Sequence, residues 1–267
     1  MLANLNDGEK GLSLAYLIRE WIYSSTTYRK ESDMFSLTTK WVQRIVCVAT
    51  ILLPLGVSAE VPWQFADKTR YMAMGDSLAA GYGAIPATQG YAYLLYKEGV
   101  FDHVPNTLLS SVGLIGATSQ DVLEKQVPLA INPFVPTVIT ITVGGNDLAA
   151  ILGGADPTTV LLNFQANLTA IFSQLQSGLP TAQIYINNLY DIPEIPQARP
   201  VVQAFNQIVE GVAGAFSVPV ADVFSAFEGR RGLLLIQRHG ADQFEVHPSN
   251  AGHRAMANAF KAVIQNN

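Results

Sequence analysis

The sequence predicts an α/β fold in which a mostly parallel, five-stranded sheet lies between layers of helices. From Tyr71 onward, apolar runs of β type alternate with longer stretches of helical period, which is typical of βαβ units. The run at 138–143 consists entirely of β-branched residues, as expected for a strand buried on both faces. With 267 residues, 49% hydrophobic and 14% charged, the chain can bury a sizeable core as one globular domain.

The individual elements follow from these patterns in chain order. Strands are predicted at 71–74, 107–111, 138–143, 183–187 and 218–221. A long helix is predicted to begin at Pro157 with Asp156 as its N-cap, a second follows Pro200, and a last one starts near Asn250. The apolar stripe of each helix is most simply explained by core packing.

The segment 34–59 has the three-part order of a secretory signal. Lys40 and Arg44 precede an apolar run that ends at Leu53, and small residues lead to a cleavage point at Ala59. A single membrane anchor is the alternative, but the apolar run is shorter than the roughly 20 residues that a spanning helix needs. We therefore expect export to a secreted or periplasmic location, with no stable membrane span after processing.

Residues 1–33 form a leader that precedes this signal, and two explanations stay open. Met34 could be the true start, or an amphipathic extension around 12–22 could be real. The only cysteine, Cys47, lies in the apolar run, so the predicted domain at 60–267 contains no disulfide. The net charge of -5, with few and scattered basic residues, argues against a nucleic-acid partner.

Four short motifs contain residues suited to catalysis: Gly75-Asp76-Ser77-Leu78, Gly116-Ala117-Thr118-Ser119, Gly144-Gly145-Asn146-Asp147 and His247-Pro248-Ser249. Ser77 follows a predicted strand, at the sheet edge where open α/β folds bind ligands. It could attack a carbonyl group while His247 accepts its proton. Taken singly, each motif has a plainer explanation as a helix cap, a turn or a surface histidine. Their combination favours catalysis.

In this order, the motifs resemble those of the SGNH or GDSL family of serine hydrolases, and the resemblance spans about residues 71–260. It implies a three-layer α/β/α, flavodoxin-like fold and a serine esterase or lipase that needs no cofactor and forms an acyl-enzyme on Ser77. It further implies that the backbone N–H groups of Ser77 and Gly116, with the side-chain amide of Asn146, form the oxyanion hole.

The third member of the catalytic triad departs from the family pattern. The family usually has an aspartate three residues before the histidine, and here that position is Phe244. We favour Glu245 as the carboxylate that orients His247, with Asp242 as the alternative. A dyad of Ser77 and His247 is a third arrangement that the sequence allows.

The expected substrate is a small-molecule or polymer-linked carboxylic ester, of either the lipid or the acetylated-carbohydrate class. A weakly catalytic or non-catalytic carbohydrate-binding protein with the same fold is one alternative, and an acyltransferase is another. The chain is expected to be a monomer. No metal is predicted, because the four histidines do not have the spacing of metal ligands. Of these, His253 is expected at the surface.

Two loops are predicted to border the substrate pocket, at 82–96 and 191–200. The first carries Tyr91, Tyr93 and Tyr96, which could form an apolar wall with polar tips. They could equally pack beneath the first helix. The second loop contains three prolines and follows the fourth strand.

Overall fold

The structure is a computed structural model that describes residues 65–102, 106–235 and 246–266. The leader at 1–33 and the signal at 34–59 lie outside the described residues, as do Glu245 and Asp242. The corresponding expectations stay predictions.

A parallel sheet of five strands forms the centre of the molecule, in the order β2-β1-β3-β4-β5. The strands are β1 (Thr69–Gly75), β2 (Thr107–Ser111), β3 (Val138–Thr142), β4 (Gln183–Asn187) and β5 (Val220–Ala221). Every residue of β3 is buried, because this strand is central in the sheet and covered on both faces. The predicted fold class is confirmed, although β5 is shorter than expected.

Helices connect the strands and cover both faces of the sheet. They are α1 (Tyr91–Lys97), α2 (Ser119–Asp121), α3 (Val127–Leu129), α4 (Gly145–Leu152), α5 (Pro157–Gly178), α6 (Arg199–Ala215), α7 (Val223–Phe227) and α8 (Asn250–Gln265). Turns of π type at Val122–Gln126 and Ala130–Phe134 follow α2 and α3, and 3₁₀ turns occur at Ala87–Gln89 and Pro196–Ala198. As predicted, Asp156 caps α5, since its Oδ2 accepts a hydrogen bond of 2.8 Å from the N–H of Thr159.

The alternation of side chains along β1 separates two cores. Met72 and Met74 face a cluster formed with α4, α5, α6 and the helical turns at 122–130. Tyr71 and Ala73 face the opposite cluster, which includes α1, α7 and α8. Because successive strand residues point to opposite faces, one strand anchors both helical layers.

A small antiparallel pair lies beside the main sheet, with β6 at Leu234–Leu235 and β7 at His247–Pro248. It precedes α8 directly, so β7 brings His247 near the sheet edge at which β1 ends. Within the described residues, no helix has both the length and the hydropathy needed to span a bilayer.

Candidate active site

The first and last of the four motifs meet at the carboxyl edge of the sheet. Ser77 follows β1, and its Oγ lies 2.7 Å from Nε2 of His247. The two residues are 170 positions apart in the sequence. The structure therefore places the predicted nucleophile and base at hydrogen-bond distance.

The backbone just before Ser77 is fixed by Gln126. The side chain of this buried residue accepts a hydrogen bond from the N–H of Gly75 and donates one to its carbonyl oxygen, both at 2.7 Å. Gly75 has φ of +129°, and a Cβ there would lie 1.8 Å from the carbonyl oxygen of Thr142. Only glycine can occupy this position, where the chain leaves the sheet and turns toward Ser77.

Asp76 supports the same turn from inside the protein. Its Oδ1 accepts hydrogen bonds from the N–H of Leu78 and the hydroxyl of Thr142, both at 2.9 Å. Burial raises the pKa of Asp76 to about 6, although these hydrogen bonds and nearby His247 favour the charged form. No role for Asp76 was predicted from the sequence. The structure shows that it holds the turn containing Ser77.

The two remaining motifs are in contact with each other. Nδ2 of Asn146 donates a hydrogen bond of 2.8 Å to the carbonyl oxygen of Ala117, the residue after Gly116. Gly116 has φ of +82°, and the space where its Cβ would be is open. The motifs that carry these two predicted oxyanion donors are thus joined by a direct hydrogen bond.

A buried carboxylate gives a second connection between these loops. Asp147 accepts hydrogen bonds from the backbone N–H of Ser119 at 2.9 Å and from its hydroxyl at 2.6 Å. Burial raises the pKa of Asp147. Asn167 of α5 also donates to the hydroxyl of Ser119. Sequence reasoning missed this pair, although both residues belong to the quoted motifs.

A cavity of about 390 Å³ opens beside Ser77. Ser77, Asn146 and His247 are among its lining residues, and we call the part of the cavity beside them the polar end. The other side chains of the cavity wall are largely apolar, and they include Leu148, Leu152, Leu189, Ile192, Ile195 and Val202. The volume lies within the range of small-molecule sites. The cavity can therefore accommodate an apolar group next to the nucleophile.

The two predicted pocket loops differ in their placement. Most residues of 189–198 line the cavity, whereas none of its lining residues comes from 82–96. Tyr91 is fully buried and stacks on Phe260 of α8, and Tyr93 packs against Tyr96. The expectation that 82–96 borders the pocket is wrong, because α1 turns its aromatic side chains toward α8 and toward each other.

Hydrogen bonds hold the part of the cavity wall formed by the residues that follow β4. Asn206 of α6 accepts from the N–H of Leu189 at 2.7 Å and donates to its carbonyl oxygen at 2.9 Å. The hydroxyl of Tyr190 donates to the carbonyl oxygen of Val246, which directly precedes His247. This wall is therefore connected to the segment that carries the base.

His253 is not at the surface as expected but fully buried. Its Nδ1 accepts a hydrogen bond of 3.3 Å from the N–H of Tyr91, and its Nε2 lies 2.9 Å from the carbonyl oxygen of Tyr82. The reason is that the first turn of α8 packs against the start of α1 and not against solvent. The ring of Tyr82 in turn contacts the ring of His247, with centroids 4.5 Å apart.

In the part of the chain that the structure describes, no group of three histidine, cysteine or acidic side chains could hold an ion. His103 and His239 lie outside that part.

Comparison with protein families gives one match that covers most of the chain. The model of the GDSL-like Lipase/Acylhydrolase family matches residues 73–255, a range that includes all four motifs. No curated protein matches the chain at a significant level.

Solved structures with the same fold come from several bacteria. A phospholipase A1 from Streptomyces albidoflavus has a TM-score of 0.58 and 18% identity, with 73% of this chain and 99% of that chain covered. An extracellular lipase from Streptomyces rimosus has a TM-score of 0.56 and 18% identity, with 73% and 99% covered. The esterase EstA from a Pseudoalteromonas species has a TM-score of 0.54 and 19% identity, with 74% and 98% covered. At these identities, the likeness shows a common fold.

Proposed function

Because the chain belongs to the GDSL-like lipase/acylhydrolase family and is thus a carboxylic ester hydrolase, we propose that it is an exported serine esterase for substrates with an apolar acyl chain. The main observation in support is the 2.7 Å distance between Ser77 Oγ and His247 Nε2 at the polar end of an apolar cavity. Export rests on the sequence pattern at 34–59.

The proposed reaction begins when Ser77 Oγ attacks the ester carbonyl and His247 Nε2 accepts the hydroxyl proton. The N–H groups of Ser77 and Gly116, with Nδ2 of Asn146, stabilise the negative charge on the tetrahedral intermediate. The C–O bond to the alcohol then breaks, and the leaving oxygen takes the proton from His247. Water, activated by the same imidazole, attacks the acyl-enzyme and releases the acid.

The role of Asn146 agrees with its hydrogen bonding. Its amide group has two N–H bonds, and the described contact with Ala117 requires one of them. The second can donate to the substrate oxygen without disrupting the contact between the loops. The loop contact would then hold Asn146 in place before the substrate binds.

The orienting carboxylate stays a proposal from the sequence. Glu245 is our first candidate and Asp242 the second, in a stretch that the described residues do not include. A carboxylate on the far side of His247 would favour the tautomer in which Nε2 is free to take the serine proton, and would stabilise the imidazolium.

The proposed preference for an acyl chain length follows from the apolar side chains of the cavity wall. Burying a methylene group contributes about 0.8 kcal/mol, so an apolar cavity should bind a longer acyl chain more strongly than an acetyl group. Leu148, Leu152 and Ile192 provide such a surface next to the polar end. We therefore propose medium-chain acyl esters as the substrate class, ahead of acetylated carbohydrates.

The first test is Ser77→Ala in the purified protein, assayed with p-nitrophenyl octanoate. We expect kcat to fall by about 1,000-fold or more, because the nucleophile is lost. Ser173→Ala changes an exposed serine on α5 and should retain the parent rate. A fluorophosphonate probe should label the parent at Ser77, and a chain that neither hydrolyses the ester nor reacts with the probe would contradict the proposal.

A further inference from the structure

His253 has a backbone partner at each ring nitrogen. A backbone N–H can only donate and a carbonyl oxygen can only accept, so Nδ1 accepts from Tyr91 and Nε2–H donates to Tyr82. Both bonds together require a neutral imidazole with its proton on Nε2. Burial lowers the pKa of His253, which acts in the same direction.

The two hydrogen bonds serve different parts of the molecule. Tyr91 is the first residue of α1, and its N–H has no partner within that helix. The N-cap is Gly90, which has no side chain and so caps none of the free N–H groups of this helix. Nδ1 of His253 therefore caps α1 from a distant helix, which is a structural contribution. The bond from Nε2 instead reaches the loop after Ser77.

Tyr82 connects that loop to both reacting groups. Its N–H donates a hydrogen bond of 2.9 Å to the carbonyl oxygen of Ser77, and its ring packs edge-on against the imidazole of His247. At the next residue, Gly83, a Cβ would lie 2.4 Å from the carbonyl oxygen of Pro248. The loop after the nucleophile thus packs directly against the segment that carries the base.

We propose that His253 is a positioning residue for the esterase reaction, which aligns Ser77 with His247 by holding the carbonyl group of Tyr82. This inference rests on the proposed function. His253 itself has no contact with the cavity, and it acts through the loop that touches both reacting residues. A lost bond to Tyr82 should lower the rate of the chemical step more than substrate binding.

Two substitutions separate the two hydrogen bonds. In His253→Gln, the side-chain amide can place an N–H near the Nε2 position and keep the donor to Tyr82. In His253→Asn, the shorter side chain can place its oxygen near Nδ1 and accept from Tyr91, but it cannot reach Tyr82. With p-nitrophenyl octanoate, His253→Asn should lower kcat by about tenfold and change KM less than about twofold, whereas His253→Gln should keep kcat within about threefold of the parent.

Stability measurements distinguish positioning from a general loss of structure. Each variant loses one buried hydrogen bond, so both should melt at similarly reduced temperatures. The rate of fluorophosphonate labelling at Ser77 should fall only for His253→Asn, in parallel with kcat. Equal losses of kcat in the two variants, or losses that follow the melting temperature, would overturn the inference.

A matched control tests another attachment of the same loop. Asn250 of α8 accepts from the N–H of Ile85 and donates to its carbonyl oxygen, so Asn250→Ala loosens the loop without touching Tyr82. We expect Asn250→Ala to retain kcat, and an equal loss there would contradict a specific role of His253.

The variant Tyr82→Leu tests the same route if His253→Asn does not fold. Tyr82→Leu leaves both hydrogen bonds of His253 in place, because one involves the backbone of Tyr91 and the other only the backbone of residue 82. The substitution removes the ring contact with His247. We expect about a tenfold lower kcat with little change in KM. A parent-like kcat in Tyr82→Leu would overturn the proposed route. If the parent itself showed no esterase activity, the proposed function would fail first.

Discussion

The two ends of the cavity are built by different interactions. At the polar end, Asp76 bonds to Leu78 in its own turn and to Thr142 at the end of β3. Asn146 and Asp147 bond to Ala117 and Ser119 of the second motif. At the apolar end, Leu152 and Ile192 contribute surface to the wall. Asn206 and Tyr190 form hydrogen bonds that hold the chain after β4.

This difference follows from what each end has to do. Stabilising a developing charge requires donors at fixed distances and angles, which directional hydrogen bonds supply. Binding an acyl chain requires apolar area, which is not directional and which many combinations of side chains can provide. Changes at the polar end should therefore alter the rate for every ester, and changes at the apolar end should depend on chain length.

The largest effect in this comparison is expected for Asn146→Ala. Removal of one oxyanion donor should lower kcat by about 100- to 1,000-fold, and by the same factor for acetate and octanoate esters. The measurement is a pair of steady-state assays with p-nitrophenyl acetate and p-nitrophenyl octanoate. Asn163→Ala, at an exposed position on α5, is the matched control and should behave as the parent.

A loss for Asn146→Ala that was confined to one ester would contradict a role at the carbonyl oxygen. It would place Asn146 in the binding of the acyl chain instead.

A smaller and selective effect is expected for Leu152→Asp at the apolar end. A carboxylate in the cavity wall must be desolvated when an acyl chain binds, so kcat/KM for the octanoate ester should fall by about tenfold or more. The acetate ester, which does not extend as far from Ser77, should lose less than about threefold. The variant should therefore reverse or flatten the chain-length preference of the parent.

Leu162→Asp is the matched control, since it makes the same change at an exposed leucine of α5 that is not among the lining residues. It should leave the chain-length profile unchanged. A parent-like profile in Leu152→Asp as well would show that the acyl chain binds elsewhere.

The parts of the molecule that the sequence predicted share a strong local signal. The β-branched run at 138–143 identified β3, and Asp156 with Pro157 identified the start of α5. The fold class is confirmed because alternating strands and helices with short connections permit few architectures. Ser77, Gly116, Asn146 and His247 were singled out from local motifs, and their catalytic roles stay predictions.

The parts that the sequence did not predict depend on which distant surfaces meet. His253 was expected at the surface because it lies in the first turn of the last helix, and only the packing of α8 on α1 shows its burial. The cavity wall was assigned partly to 82–96, since aromatic residues suit both a pocket and a core. The bond between Asp147 and Ser119 joins the first turns of two helices that follow different strands, so local patterns could not reveal it.

The smallest expected effect concerns the free energy of unfolding, which the burial of a charged Asp76 at the polar end lowers. Burial raises the pKa of Asp76 to about 6, above its ordinary value of 3.8. The folded chain therefore takes up this proton before the unfolded chain does as the pH falls. Because the pKa of Asp76 is higher in the folded state, its contribution to the free energy of unfolding increases as the pH falls from about 7 toward about 4.

Asp76→Asn removes this dependence, because an amide does not titrate. Between pH 7 and pH 5, the free energy of unfolding of the parent should gain about 1 kcal/mol relative to that of Asp76→Asn. Urea denaturation of both proteins at the two pH values gives the four free energies required, and groups that titrate equally in both proteins cancel in the difference. The same pH dependence in both proteins would mean that Asp76 is charged in the folded state at pH 5, so that its hydrogen bonds to Leu78 and Thr142 outweigh burial and the polar end has little cost in stability.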